Sequence, residues 1–271
     1  MNMDMFGGNM TAPAKREWER RVSLLTKIWR GKWLTDRPFL TLPKLNIRHK
    51  ELDAPQAKEH RNDLLHHHWH VRKVFSVHES HLQTDAVWLD ITADDYYKLY
   101  INGKFAAQGP AQNDAGQYYV NRLNVKRFLQ PGRNVIAVHV YYQGLINRAY
   151  NSGDYRQGCI AELWCDDQLL AATDDTWRAM RFTSNQPGAK YGYDTQFAEW
   201  IDARLFDQDW ASIDYEDGHW PFACIDANPD YHFVMQPTPV VSVYSVDPES
   251  VVKLAKGHYL IDFGQLLTGQ F

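Results

Sequence analysis

The run NVIAVHVYY, Asn134–Tyr142, follows directly on a Gln130-Pro131-Gly132 turn and is the most apolar strand-like segment in the chain. Side chains alternate along a β-strand, so Val135, Ala137 and His139 face one side and Ile136, Val138 and Val140 the other. Both faces are mostly apolar, which predicts a central strand covered on both sides. Other runs rich in β-branched and aromatic residues flank it: HWHVRKVFSV (His68–Val77), AVWLDIT (Ala86–Thr92), YKLYI (Tyr97–Ile101) and CIAELWC (Cys159–Cys165). Asn102-Gly103, between Tyr97–Ile101 and Lys104–Ala107, is a strong signal for a two-residue type I′ hairpin. Short strands punctuated by turns, without βαβ alternation or an internal repeat, predict a mainly β antiparallel sandwich.

The flanks have a different texture. Residues 1–12 are rich in Gly, Asn and Met and read as a disordered tail. Trp18, Val22, Leu25 and Trp29 recur at helical spacing, which predicts an N-terminal helix. Pro38, Pro43 and Pro55 break Thr35–Glu59 into a mostly irregular connection. Behind Pro237-Thr238-Pro239, VVSVYSV (Val240–Val246) predicts a further strand. So short a segment cannot form a sandwich alone. The expected division is a tail over 1–12, a sandwich with its helix over 13–236, and the incomplete start of a second β-domain over 237–271.

Net charge of −4 gives no basis for nucleic acid or an anionic membrane as partner. No apolar run reaches 18 residues, and the N-terminus lacks the apolar core of a secretory signal, so the sequence as it stands reads as cytoplasmic. Cys159, Cys165 and Cys224 form no CxxC, and reduced thiols are expected. Aromatic residues make up 14% of the chain, which suits either a β core or a carbohydrate-facing surface.

Candidate chemistry is sparse. GxSxG, HExxH, GxxxxGK[ST] and GxGxxG are all absent. In HHHWH, the rings of His66, His68 and His70 would share one strand face, but no carboxylate or Cys closes a metal site, so a polar strand face beside a buried Trp69 is expected. Neither a metal nor any other cofactor is implied. Asp94 and Asp95, adjacent on a strand, would point to opposite faces, which is poor geometry for an acid–base pair. Glu199 and Asp202 are better in type, although an ion pair with Arg204 would absorb Asp202. The loop YNSGDYRQG (Tyr150–Gly158) offers Asn151, Asp154 and Arg156 as planar hydrogen-bonding groups, with Tyr141, Tyr142 and Tyr150 as flat faces. Tyr142, Asn151, Asp154 and Arg156 are therefore the candidate carbohydrate-binding residues. The competing reading is a surface loop that holds its own turns.

Several motifs in order carry a family resemblance: ADDYYKLYINGKFAAQGPA, LQPGRNVIAVHVYYQGLINRAYNSGDYRQGCIAEL, DDTWRA, FAEWIDARL and DFGQ (Asp262–Gln265). Together they resemble the N-terminal β-sandwich of α-L-rhamnosidase-like proteins, glycoside hydrolase family seventy-eight. The resemblance runs from about Trp29 to the end of the chain. It implies a galactose-binding-like jelly roll that is a non-catalytic accessory region of a rhamnoside hydrolase. The family's catalytic carboxylates lie in a downstream helical barrel, so no catalytic residue carries over to this chain. The implied partners are rhamnoside-containing carbohydrate and the parent protein's downstream domains. The alternative function is a free-standing lectin-like carbohydrate-binding module.

Overall fold

The computed structural model describes residues 27–45, 61–112, 117–146, 152–192, 196–227, 230 and 232–266. The expected tail, most of the expected N-terminal helix and Asn151 lie outside these residues; Trp29 itself is in irregular chain. In chain order the strands are β1 (Trp33–Thr35), β2 (His67–Val77), β3 (Trp88–Asp94), β4 (Tyr96–Ile101), β5 (Lys104–Gly109), β6 (Gln117–Asn124), β7 (Gly132–Tyr142) and β8 (Gly158–Cys165). They continue with β9 (Gln168–Ala172), β10 (Arg178–Phe182), β11 (Asn185–Tyr191), β12 (Gln196–Ile201), β13 (Cys224–Asp226), β14 (His232–Met235), β15 (Ser250–Ala255) and β16 (His258–Asp262). A short helix, α1 (Arg37–Leu40), follows β1, capped by the Asp36 carboxylate on Arg37 N and begun at Pro38, where a missing N–H costs nothing.

Two sheets form the sandwich. One has the order β10-β2-β7-β4-β5, with β7 in the middle as its two apolar faces require. The other has the order β13-β1-β8-β3-β6-β14, with β9 also paired to β8. Pairing is antiparallel except between β14 and β6. The two long strands β2 and β7 pair along their whole length, from His67 opposite Tyr142 to Val77 opposite Gly132.

Between the sheets lie Ile136, Val138 and Val140 of β7, Trp69 and Val71 of β2, and Leu89, Ile91 and Ala93 of β3, with Leu163 and Trp177. Each large aliphatic side chain buried here contributes about 1.5–3 kcal/mol. The opposite face of β7 is covered too: Ala137 packs with Trp210 and Trp220. The result is the mainly β sandwich that the strand pattern predicts, of the jelly-roll kind that the family resemblance implies.

Asn102 and Gly103 join β4 to β5 with φ of 51° and 76°, both in the left-handed region that a type I′ turn needs. The Asn102 side chain also ties this turn to the neighbouring strand. Its amide donates to Phe128 O (3.0 Å) and Asn134 Oδ1 (2.8 Å), and its oxygen accepts from Val135 N (2.8 Å).

One expected strand is absent. Val240–Val246 is irregular despite its alternation, because a strand needs a ladder partner for its backbone groups and this run has none within its own unit. The chain separates into two compact units, Met1–Val240 and Val241–Phe271. In the second, β15 and β16 form an antiparallel hairpin with Ser250 opposite Asp262. All three cysteines are free.

Candidate functional site

The end of β7 and residues 152–158 bring Tyr142, Asp154 and Arg156 close together, as parts of one another's scaffold. Tyr142, the last residue of β7, is 1% exposed. Its ring packs edge-on against Phe39 at 5.0 Å, and its hydroxyl accepts from Tyr155 N at 3.1 Å. The ring is thus enclosed on the Phe39 side and closed to solvent. Tyr141 turns its hydroxyl to His66 Nδ1 at 3.0 Å.

Arg156 is buried and makes a planar fork. Nε and Nη2 donate to the two oxygens of Asp230 (2.9 and 2.6 Å), while Nη1 donates to Asp154 Oδ2 (2.9 Å) and Leu45 O (2.6 Å). Asp154 also accepts from Arg156 N at 3.1 Å, and its own carbonyl accepts from Leu45 N at 3.0 Å. Burial pushes the Asp154 carboxyl up to about 7, and the nearby Asp94 adds to the rise while Arg156 opposes it. Asp154 and Arg156 therefore meet, and together they contact Leu45 and Asp230.

The same cluster contains Asp94 and Asp95. Asp94 ends β3 and Asp95 occupies the corner before β4. They sit at a corner and not within one strand, and Asp95 adds to the rise that burial imposes on Asp94. Asp94 accepts from the Tyr118 hydroxyl at 2.6 Å; Asp95 accepts from Gln143 N and the Ser152 hydroxyl, each at 2.6 Å. Burial raises both, Asp94 well above the usual carboxylate range and Asp95 to about 6. Both are buried, and Asp95 ties Gln143 to Ser152. Sequence reading missed this grouping because Asp94 and Asp154 are far apart in the chain and Asp230 carries no local signal.

The remaining candidates stand apart. Asp202 forms an ion pair with Arg204 at 2.6 Å, as its spacing suggests. Glu199 is exposed on β12, opposite Pro187 of β11. His66, just before β2, and His68 and His70 on it are all buried, as is Trp69. His68 Nε2 lies 3.1 Å from His66 Nε2 and its Nδ1 lies 2.8 Å from His139 Nε2. His70 stacks on Trp210 with ring centroids 3.8 Å apart. Among the described residues, no three His, Cys, Asp or Glu side chains are placed to hold a metal ion.

No protein-family model matches the sequence. An α-L-rhamnosidase from Alteromonas sp. (strain LOR) is 24% identical over 266 residues, covering 89% of this chain and 25% of that protein. Another, from Formosa agariphila, is 25% identical over 204 residues, covering 64% of this chain and 20% of that protein. The crystal structure of a family seventy-eight rhamnosidase from Bacillus sp. GL1 superposes with a TM-score of 0.66 at 26% identity, covering 83% of this chain and 22% of the other. The chain is a distant structural relative of family seventy-eight α-L-rhamnosidases. It spans a quarter or less of the length of the curated relatives that it matches. Its β-sandwich thus corresponds to one part of those larger proteins.

Proposed function

We propose that this chain is a non-catalytic accessory module, the N-terminal sandwich region of an α-L-rhamnosidase-like glycoside hydrolase. One observation carries the reading: nearly the whole sandwich superposes on less than a quarter of the Bacillus enzyme, 83% of this chain on 22% of that one. The state of the carboxylates supports it. Hydrolysis of a glycosidic bond uses two carboxyl groups about 5–10 Å apart across an accessible bond. Here Asp202 is committed to Arg204, Glu199 stands on an exposed hairpin, Asp94 and Asp95 are buried, and Asp154 is half-buried and paired with Arg156. The loop carrying Asp154 and Arg156 acts in this reading as scaffold.

The test is an assay of the chain, at high concentration, on an aryl α-L-rhamnoside. No turnover above a buffer blank is expected. Turnover that Glu199→Gln abolishes would overturn the proposal and make the chain a hydrolase in its own right.

A further inference from the structure

The outer face of the sheet β10-β2-β7-β4-β5 carries a line of imidazoles whose hydrogen bonds form one continuous path. Tyr141 Oη lies 3.0 Å from His66 Nδ1, His66 Nε2 lies 3.1 Å from His68 Nε2, and His68 Nδ1 lies 2.8 Å from His139 Nε2. His70 continues the row, its ring 4.8 Å from that of His139. The row is roofed by aromatic side chains from later in the chain. Phe197 meets His66 edge-on at 5.2 Å, Trp210 stacks on His70 at 3.8 Å, and Phe206 packs on Phe182, which itself stacks on His70 at 4.3 Å.

The part of this roof that carries Phe206 and Trp210 is built as a flap, whereas Phe197 belongs to β12. At one end Asp202 N donates to Ser184 O (2.9 Å); at the other Ala179 N donates to Pro221 O (2.9 Å). Between these ends, residues 203–220 are held to the sheet by the Trp210 and Trp220 packing and by Arg72, which donates to Ser212 O (2.7 Å) and Tyr215 O (3.2 Å) and pairs with Asp217.

We infer that the His66–His68–His139 path, with His70 beside it, is a proton-sensitive latch, and that mild acid releases residues 203–220 from the sheet while the sandwich stays folded. A neutral imidazole has one donor and one acceptor, so three neutral rings satisfy the whole path when all point in one direction. One added proton is accommodated at His68, which then donates to both neighbours. A second proton sets two N–H groups against each other across a 2.8 or 3.1 Å gap, and that bond must break. The surroundings offer little relief. Lys98 of β4 acts against a charge on His68 and His139, and Arg72 of β2 brings a second cation to the same face, while Arg181 of β10, opposite Trp69 on the other face, acts against a charge on the adjacent His67. Burial raises Tyr100 of β4. Glu199 of β12 acts on Lys98 and Tyr141, while the flap's acids include Asp217, spent on Arg72, and Asp207, beside Tyr215. Burial accordingly holds all four rings below the ordinary imidazole range. Opening the flap exposes the rings to water, where they take up protons freely.

Hydrogen–deuterium exchange of the full chain at pH 7.5 and pH 5.0, corrected for intrinsic exchange rates, tests this. Protection of residues 203–220 should fall at least tenfold at pH 5.0, while β3, β6 and β8 keep theirs. In a His68→Gln/His139→Gln variant the flap should stay protected at both pH values. An equal loss of protection across the whole sandwich, no change in the flap, or an undiminished response in the variant would each overturn the inference. Should the variant fail to fold, imidazole NMR of the wild-type chain decides. The His68 and His139 ring signals must titrate with the same midpoint as flap opening, and midpoints a pH unit or more apart would overturn it.

Discussion

Gly103 stands at φ 76° with only Ser212 Cα, at 3.8 Å, near the position that a Cβ would take. Space is therefore not its constraint; the left-handed backbone is. Gly103→Val should cost about 1–2 kcal/mol through strain at a β-branched residue, read as a lower thermal midpoint, and an unchanged midpoint would contradict this account of the turn. Arg156 is constrained in the opposite sense, by its partners. Arg156→Met strands Asp154 in a half-buried site already crowded by Asp94, so the loss should be about 2–4 kcal/mol in urea unfolding. Adding Asp154→Asn should recover part of it, since the orphaned charge goes with it. A double variant as damaged as the sum of the two singles would show that the pair is not coupled.

Among the elements, β2 and β7 share an eleven-residue ladder and carry apolar side chains into the inter-sheet core, whereas the hairpin β15–β16 exposes Val251, Val252, Leu254, Tyr259, Leu260 and Ile261. A two-stranded hairpin has no layer of its own to bury such side chains and contributes little to the sandwich. Deleting residues 241–271 should leave the thermal midpoint of the remaining chain within about 2 °C of the parent and reduce self-association in sedimentation, because an apolar hairpin edge invites pairing. Unfolding on deletion would mean that the second unit completes the first.

For the molecule as a whole, two sets of buried groups give opposite pH dependences. Burial lowers His66, to about 4, and also His67, His68, His70 and His139. The unfolded chain takes up these protons near pH 6.5 and the folded chain does not. Their contribution is present above pH 6.5 and is lost as pH falls towards 4. Asp95, at about 6, Asp154, at about 7, and Asp94 are raised, so the folded chain binds their protons first, and their contribution grows as pH falls from 7 towards 4. Below pH 6 the five rings outnumber the three carboxyls. The unfolding free energy should therefore fall between pH 6 and pH 5, by about 1.4 kcal/mol per pH unit for each uncompensated proton. Urea midpoints at the two pH values check this, and a midpoint that rises on acidification would refute it. His66→Gln should shrink the fall.

The features legible in the sequence are those that neighbouring residues decide. Alternation on Asn134–Tyr142 placed β7 at the centre of its sheet, since a strand with two apolar faces must be covered twice, and Asn102-Gly103 made its turn, since φ is set by local sterics. The Asp202–Arg204 pair was likewise within reach of local spacing. Polar residues carry no such instruction, because nothing in their pattern says which partner will reach them. Tertiary structure alone enclosed Tyr142 behind Phe39, joined Arg156 to Asp230 from 74 residues away, and buried Asp94 and Asp95. It also stacked His70 on Trp210 and, among the described residues, left Val240–Val246 without a ladder. In each case a long-range contact set the local dielectric or supplied the hydrogen-bonding partner, and burial with pairing, not residue type, fixed what the side chain could do.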